Sequence, residues 1–340
     1  MTAIESQPDL GAALPQQKTD YIPVLLPIAL ALVAFPLVGS FSTWTTLTLA
    51  GLAMGMMIFA MASGLTLVFG LMDVMNFGHG AFVAVGAYVG VVAFAPMVAL
   101  MQSPSLASNL LALIPAMLLA MVVAGVAGYA FERLLVRPVY GQHLKQILIT
   151  MGGLIVIEQL LYASFGPQLN PLPLPSALRG SIPLGAAAIE KYRLLAVVVG
   201  LIVFLALQFT LTRTKIGLLI RAGVENGEMV EALGYRIRRL FVGVFMAGSA
   251  LAGLGGLMWA LYREQAHASI GGEMMVTTFI VIIIGGLGSV GGCFIGSILL
   301  ALLANYAGFL APKVALVSNI ALMVAILLWR PRGLYPVTSR

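Results

Sequence analysis

The chain has 340 residues, 61% of them hydrophobic and 9% charged, with a mean hydropathy of +1.04; a soluble domain carries roughly a quarter charged residues, so a water-soluble fold is excluded. The net charge of +6 is not a nucleic-acid footprint, because the basic residues are interleaved with long apolar runs and form no soluble basic face. One cysteine, Cys293, and three scattered histidines permit neither an internal disulfide nor a metal cluster, so no cofactor is expected.

Residues 1–20 are polar, with Glu5 and Asp9 ahead of Lys18. They lack the basic start of a signal peptide and read as a disordered cytoplasmic tail. After Asp20 the next charged residue is Asp73, and the next is Glu132. Such gaps are lipid-spanning, since a helix crosses a bilayer with about 20 apolar residues. Hydropathy places one span at 21–39, two within 44–101 with an interruption at 73–80, and one each at 109–131, 147–165, 193–212 and 240–262. The stretch 276–329 is broken by glycines at 285–292 and again at Pro312-Lys313.

Orientation follows from charge. Lys and Arg concentrate in 132–145, in 213–239 and from Arg330 onward; with these and the N-terminus inside, thirteen of the eighteen basic residues are cytoplasmic. Arg179, Lys191, Arg193, Arg263 and Lys313 fall outside. An odd number of crossings must then join 263–275 to the inside tail, so three short crossings give ten spans and a re-entrant hairpin gives eight. The expectation is an all-α polytopic transmembrane bundle of about ten helices, eight being the alternative, N-in and C-in, in the inner (plasma) membrane. One transmembrane domain covers 21–330, followed by a cytoplasmic tail at 331–340. The alternating pattern of a membrane barrel is absent. The Pro-rich segment 166–191 reads as an external loop and a candidate surface for an extracytoplasmic partner.

Three interruptions carry the functional candidates. In the first, Asp73 and His79 are the only acidic, basic or histidine side chains between Asp20 and Glu132. An ionised Asp at mid-bilayer costs about 2.5 to 3.5 kcal/mol, so 73–80 is either a discontinuous helix facing a wet path or a plain surface loop. In the second, Gly286, Gly288 and Gly291 satisfy G-x-G-x-x-G without the βαβ context of a nucleotide site, and no P-loop lysine follows. These glycines suit a tight reversal and close helix approach, as do the pairs Gly51/Gly55, Gly86/Gly90 and Gly292/Gly296. One Gly-interrupted segment in each half hints at an internal repeat. The third, 212–235, suits a short helix over 227–233, acidic at its start and followed by Arg236, Arg238 and Arg239; it reads as a solvated loop or as a docking knob. A proton relay through Asp73, His79 and Glu158 would make the chain a secondary transporter. An intramembrane enzyme using Asp73 and His79 as acid and base lacks a third orienting group and a nucleophile.

Taken in chain order, the run Gly64-Leu65-Thr66-Leu67-Val68-Phe69-Gly70 leading to Asn76-Phe77-Gly78-His79-Gly80, then Arg137-Pro138, Thr150-Met151-Gly152 through Phe165-Gly166, Arg221-Ala222, Gly285-Gly286-Leu287-Gly288-Ser289 and Arg330-Pro331-Arg332-Gly333-Leu334 closely resembles the signature of branched-chain amino acid ABC permeases, the H-type (Liv) subunit. The resemblance implies a transport subunit rather than an enzyme, for branched-chain or related amino acids, or for urea and short amides. It implies a heterodimer with a second, M-type permease subunit, two cytoplasmic ABC ATPase subunits and an extracytoplasmic solute-binding protein, with no nucleic acid. Many ABC importers meet the ATPase through Glu-Ala-Ala, three residues, then Gly. Here Glu228-Met229-Val230 and Gly234 keep that spacing, with Met and Val in place of the alanines. On this resemblance the substrate-pathway candidates are Asp73, Asn76, Phe77, Gly78, His79, Gly80, Gly285, Gly286, Gly288 and Ser289. The ATPase-coupling candidates are Arg221, Glu228, Glu231, Ala232 and Gly234.

Overall fold

An apolar run in lipid can satisfy its own N–H and C=O groups only by coiling into a helix, and the computed structural model follows that rule. It describes residues 21–72, 74–185 and 187–335. Thirteen α-helices follow one another among these residues: α1 (Ile22–Val38), α2 (Phe41–Met72), α3 (His79–Phe94), α4 (Val98–Gln102), α5 (Leu106–Phe131), α6 (His143–Phe165), α7 (Lys191–Arg213), α8 (Lys215–Glu225), α9 (Gly227–Ala232), α10 (Ile237–Arg263), α11 (Ile270–Gly285), α12 (Val290–Leu310) and α13 (Pro312–Trp329). Seven helical stretches, built on α2, α3 with α4, α5, α6, α7, α10 and α12, are long and apolar enough to cross a membrane; α1, α11 and α13 are shorter apolar helices. These are the ten apolar segments expected, and 276–329 resolves into three of them. The helices form a polytopic transmembrane bundle.

The external segment is less irregular than its prolines suggest. It holds a hairpin of β2 (Ser181–Leu184) and β3 (Ala187–Glu190), and its β1 (Asn170–Pro171) pairs antiparallel with β4 (Gln265–Ala266) beyond α10.

The two ends of the bundle separate the charges. Arg133, Arg137, Arg238 and Arg239 line one cavity at the feet of α5 and α10, whereas Arg179, Arg193 and Arg263 line another at the opposite end with Glu190 and Glu264. The first end holds more of the basic residues and is the cytoplasmic one.

The core is organised around α2, which is buried from Met56 through Val68. Its Gly51 and Gly55 press on the backbone of Leu302 and Ile298 in α12, its Gly64 on that of Gly248 in α10. A side chain at any of these positions would push two helices apart, which is the use of small residues in lipid, where no hydrophobic force drives helices together. Gly86 serves α3 against the backbone of Gly253 in α10 in the same way, and Gly90 makes room for the Leu257 side chain.

Two of the helices are too short to cross alone. At 1.5 Å per residue the 16 residues of α3 and of α11 reach about 24 Å, against about 30 Å of hydrocarbon. They begin side by side inside the bundle. A Cβ on Gly80 would strike the carbonyl of Gly271, and a Cβ on Gly271 that of Gly80. From this point they run in opposite directions. α3 climbs to the external segment, where Asn170 Nδ2 donates to the Tyr88 hydroxyl (3.3 Å). α11 descends to the turn at residues 286–289, where Gly288 lies against Gly70 near the inner end of α2.

An inverted repeat results. The long helices α2 and α10 cross at the reciprocal contact of Gly64 with Gly248, and the half-length helices meet at Gly80 and Gly271. α12 packs on α2 as α5 packs on α10, and α13 on α11 as α6 on α3. The repeat at which the sequence only hinted is therefore present in the packing, with a different pairing. The counterpart of the break at 73–78 is the segment 264–269, which reads in sequence as an ordinary external loop. The glycines of 285–292 instead close the turn between the antiparallel helices α11 and α12.

Candidate functional site

The break between α2 and α3 frees backbone groups inside the protein, and each needs a partner. α6 supplies two. Thr150 Oγ1 accepts from the Phe77 N–H (3.0 Å) and Gln146 Oε1 from the Met75 N–H (3.3 Å). Thr150 keeps its own hydroxyl proton on the carbonyl of Gln146 (2.7 Å). Asn76 turns its Oδ1 onto the Gly78 N–H (3.0 Å), an Asx turn that reverses the chain into α3. Gln146 does not stand out in the sequence, and Thr150 does so only as the start of a run shared with the resembled family, not as a clamp, because a Thr in an apolar helix ordinarily bonds only its own preceding turn.

His79 opens α3 and is buried. Its Nε2 lies 2.9 Å from the carbonyl oxygen of Met61 in α2; a carbonyl only accepts, so Nε2 carries the proton. Its Nδ1 and the amide nitrogen of Asn76 are buried without a partner among the described residues. Two orphaned polar atoms at one break are a costly arrangement, and they are what a polar solute or water would satisfy. Phe77 stacks toward Phe279 of α11 (4.6 Å), and Phe131 of α5 closes over Gly78, itself packed between Phe82 and Phe245. Asp73 lies outside the described residues.

The second break starts where β4 ends. His267 Nε2 meets Glu273 Oε1 at 3.0 Å, and His267 Nδ1 is again a buried atom without a partner. Gly271 places this break against the first. His267, Gly271 and Glu273 were not singled out in the sequence. Their one signal is that a polar stretch precedes a small-residue helix start, as it does before Gly80. At the start of the same segment, beside Glu264 and Gln265, an external cavity of about 780 Å³ is walled by the pairs Arg179–Glu264 (3.7 Å) and Arg193–Glu190 (3.0 Å), with Arg193 over the Tyr262 ring.

Gly285, Gly286, Gly288 and Ser289 lie at the other end of α11, about 21 Å of helix away from Gly271. Gly286 and Gly288 take φ of 96° and 81°, a region that disfavours side chains. Ser289 Oγ caps α12 by accepting from the Gly292 N–H (3.1 Å). The tail returns to this turn, Leu334 N–H donating to Ile284 and Tyr335 N–H to Gly285. A cavity of about 380 Å³ opens here between α7 and α12, with Ser289 and Gln208 on its wall.

The coupling candidates form a separate surface. Asn226 Oδ1 caps α9 by accepting from the Met229 N–H (2.9 Å). Gly234, at φ 87°, ends it, with the Tyr235 N–H returning to the Val230 carbonyl (3.2 Å). Val230 is the buried anchor; Glu228, Met229, Glu231, Ala232 and Leu233 are exposed. Arg221 folds back instead, donating to the carbonyls of Gly217 and Leu211.

A multi-pass helical protein whose two half-length helices meet inside the membrane, breaks flanked by unpaired polar atoms, has the anatomy of a solute-transport protein. Over residues 47–328 the chain matches the family model described as branched-chain amino acid transport system / permease component. The chain belongs to that family: it is a multi-pass permease subunit of the inner membrane, a transport component and not an enzyme, and it works with ATPase and solute-binding partners. It is 26% identical over 289 residues to the high-affinity branched-chain amino acid transport system permease protein BraD of Pseudomonas aeruginosa, covering 84% of this chain and 93% of that protein. Identity to the permease protein LivH of Escherichia coli K12 is 26%, over 84% of this chain and 92% of LivH. The probable LivH of Methanocaldococcus jannaschii is 23% identical over 81% of this chain and 87% of its own length. No solved structure matches the chain significantly.

Proposed function

We propose that this chain forms one membrane-spanning half of an ATP-driven importer for branched-chain or related amino acids, paired with an M-type permease subunit and served by two cytoplasmic ATPases. The observation that carries the reading is the meeting of two half-length helices at Gly80 and Gly271, one break leading to each face of the membrane. In this reading Asn76, Phe77, Gly78, His79 and Gly80 line the path at its centre. Gly285, Gly286, Gly288 and Ser289 form its inner mouth. The external cavity with its Arg and Glu pairs is where the solute-binding protein delivers its load. The amino-acid class rests on the names of the relatives.

ATP-driven closure of the ATPases reaches the path through the exposed face of α9, with Glu228, Glu231 and Ala232 at the contact, Gly234 setting its end and Arg221 bracing α8 against α7. Two experiments test this. Cysteines placed singly at residues 76 to 80 of the reconstituted transporter should react with small polar thiol reagents in one nucleotide state and be protected in another. Equal protection in every state would refute the path. Uptake of labelled leucine, isoleucine and valine, each against urea, sets the substrate class.

A further inference from the structure

We propose that the feet of α5 and α10 hold the phosphate headgroup of an anionic phospholipid from the cytoplasmic leaflet. The cavity there measures about 350 Å³, and four arginines reach it: Arg133 and Arg137 from the helical turns that follow α5, Arg238 and Arg239 from the start of α10. The one carboxylate on its wall, Glu132, is buried and accepts the Tyr140 hydroxyl at 2.7 Å. Burial and this bond both push the Tyr140 phenol above its ordinary range. Among the described residues none of the four guanidinium groups has an ion-pair or hydrogen-bond partner.

Four converging guanidinium groups repel one another and, being delocalised forks, suit a phosphate more than they suit water. The placement of Arg238 and Arg239 sharpens this. They stand in the first turn of a 27-residue helix with no side-chain cap, at the end where the helix dipole disfavours cations. A phosphate in the cavity compensates both the dipole and the arginines.

The α5 surface distinguishes a lipid from a free phosphate. Leu118, Val122, Val126 and Tyr129 recur at spacings of three and four, are 57%, 61%, 58% and 40% exposed, and lead to Arg133 on the same face. An apolar track that ends in arginine at the bilayer surface has the form of an acyl chain and its headgroup, and basic pockets between transmembrane helices on the cytoplasmic side suit such lipids. The site bears on transport because Phe131, one residue before Glu132, closes over Gly78 and stacks on Phe245 of α10. A lipid that ties the two feet together holds that pair over the break.

The test uses the complete transporter, delipidated and then titrated with phosphatidylglycerol or phosphatidylcholine in native mass spectrometry. The expected result is one phosphatidylglycerol retained about tenfold more tightly than phosphatidylcholine, with the preference lost in Arg238→Gln/Arg239→Gln and kept in the outer-face control Arg263→Gln. Equal retention of the two lipids by the unaltered protein refutes the proposal without relying on any variant, as does an undiminished preference in the double variant. Displacement of the lipid by inorganic phosphate would make the site one for a free anion. Loss of an ATPase subunit from the double variant, with lipid retention intact, would assign the arginines to a protein partner. Either result overturns the lipid.

Discussion

Gly271 and its neighbour Gly272 offer an internal control for the meeting of the two breaks. Both lie in the first turn of α11, yet a Cβ on Gly271 would overlap the carbonyl of Gly80 and one on Gly272 would meet nothing within 4 Å. Ordinary carbon contacts sit near 3.5 Å, so Gly271→Ala must move α3 or α11 by about 1 Å. The obstructing atoms are main chain, with the Gly80 carbonyl carbon 2.6 Å from the added methyl, and cannot rotate aside. Overpacking of this kind costs about 1–3 kcal/mol, and rigid backbone places it at the upper end. Gly272→Ala removes backbone entropy from the unfolded chain and gains about 0.5–1 kcal/mol. The two variants should therefore differ by about 3–4 kcal/mol, on the order of 10 °C in Tm at about 2–4 °C per kcal/mol. The assay is thermal unfolding of the purified transporter in one detergent, with ATP-driven uptake beside it. Gly271→Ala should unfold earlier and lose most uptake, whereas Gly272→Ala should match or exceed the parent in both. Indistinguishable variants would refute the contact, and with it the placing of the second break.

The clamp from α6 gives a second prediction: Thr150→Val leaves the Phe77 N–H buried and unpaired, at about 1–3 kcal/mol, while Thr150→Ser keeps the acceptor. Hydrogen exchange at residues 75–78 should accelerate in the first variant only. Phe131→Ala removes a buried ring packed among Phe82, Phe245 and Gly78 and should cost about 3–5 kcal/mol, read as a large drop in Tm. Asn226→Ala removes the cap of a six-residue helix, at about 1 kcal/mol; substrate-stimulated ATP hydrolysis should fall while the fold, read by Tm, stays nearly unchanged. Gly234→Val forces a branched side chain to φ 87° at the end of α9; uptake should be abolished with binding-protein affinity intact, and undiminished uptake would sever α9 from coupling.

Much of this fold was legible because lipid leaves a chain few choices. Ten apolar runs became ten helices, and thirteen of eighteen basic residues on one side gave the orientation. The short cytoplasmic helix was visible in its acidic start at Glu228 and the glycine at 234, since helix ends are set by local interactions; its cap, Asn226, was not singled out. The second break was not. Arg263 and Glu264 at its mouth look like any exit from the membrane, and Glu264, at φ 52°, is the only described residue other than glycine with positive φ. What returns the chain inward from there is long-range: the pairing of Gln265 and Ala266 with Pro171 and Asn170, and the fit of Gly271 against Gly80. Sequence distance hides both. The glycines at 285–292 were legible as a tight reversal, which they form between α11 and α12; they misled only as the counterpart of the first break, since a tight turn between antiparallel helices and a break inside one need the same residue.

Inversion also accounts for the chemistry gathered at the breaks. Each break carries one histidine whose Nε2 is held, by the Met61 carbonyl or by Glu273, and whose Nδ1 has no partner among the described residues. In a core this apolar, an unsatisfied ring nitrogen is not retained for stability, and its occurrence at both ends of one repeat ties it to the axis on which the half-helices meet. The two nitrogens differ in setting: the His79 site is sealed inside the protein, whereas His267 is partly exposed and meets a glutamate that is 59% exposed, two residues beyond the Gln265 that lines the external cavity. A solute descending from that cavity meets the break at His267 first and the one at His79 second. His267→Ala and His79→Ala should therefore separate in uptake kinetics. The outer substitution should chiefly raise the apparent KM for the loaded binding protein, and the inner one should lower the maximal rate. The reverse assignment would contradict the direction of travel inferred here.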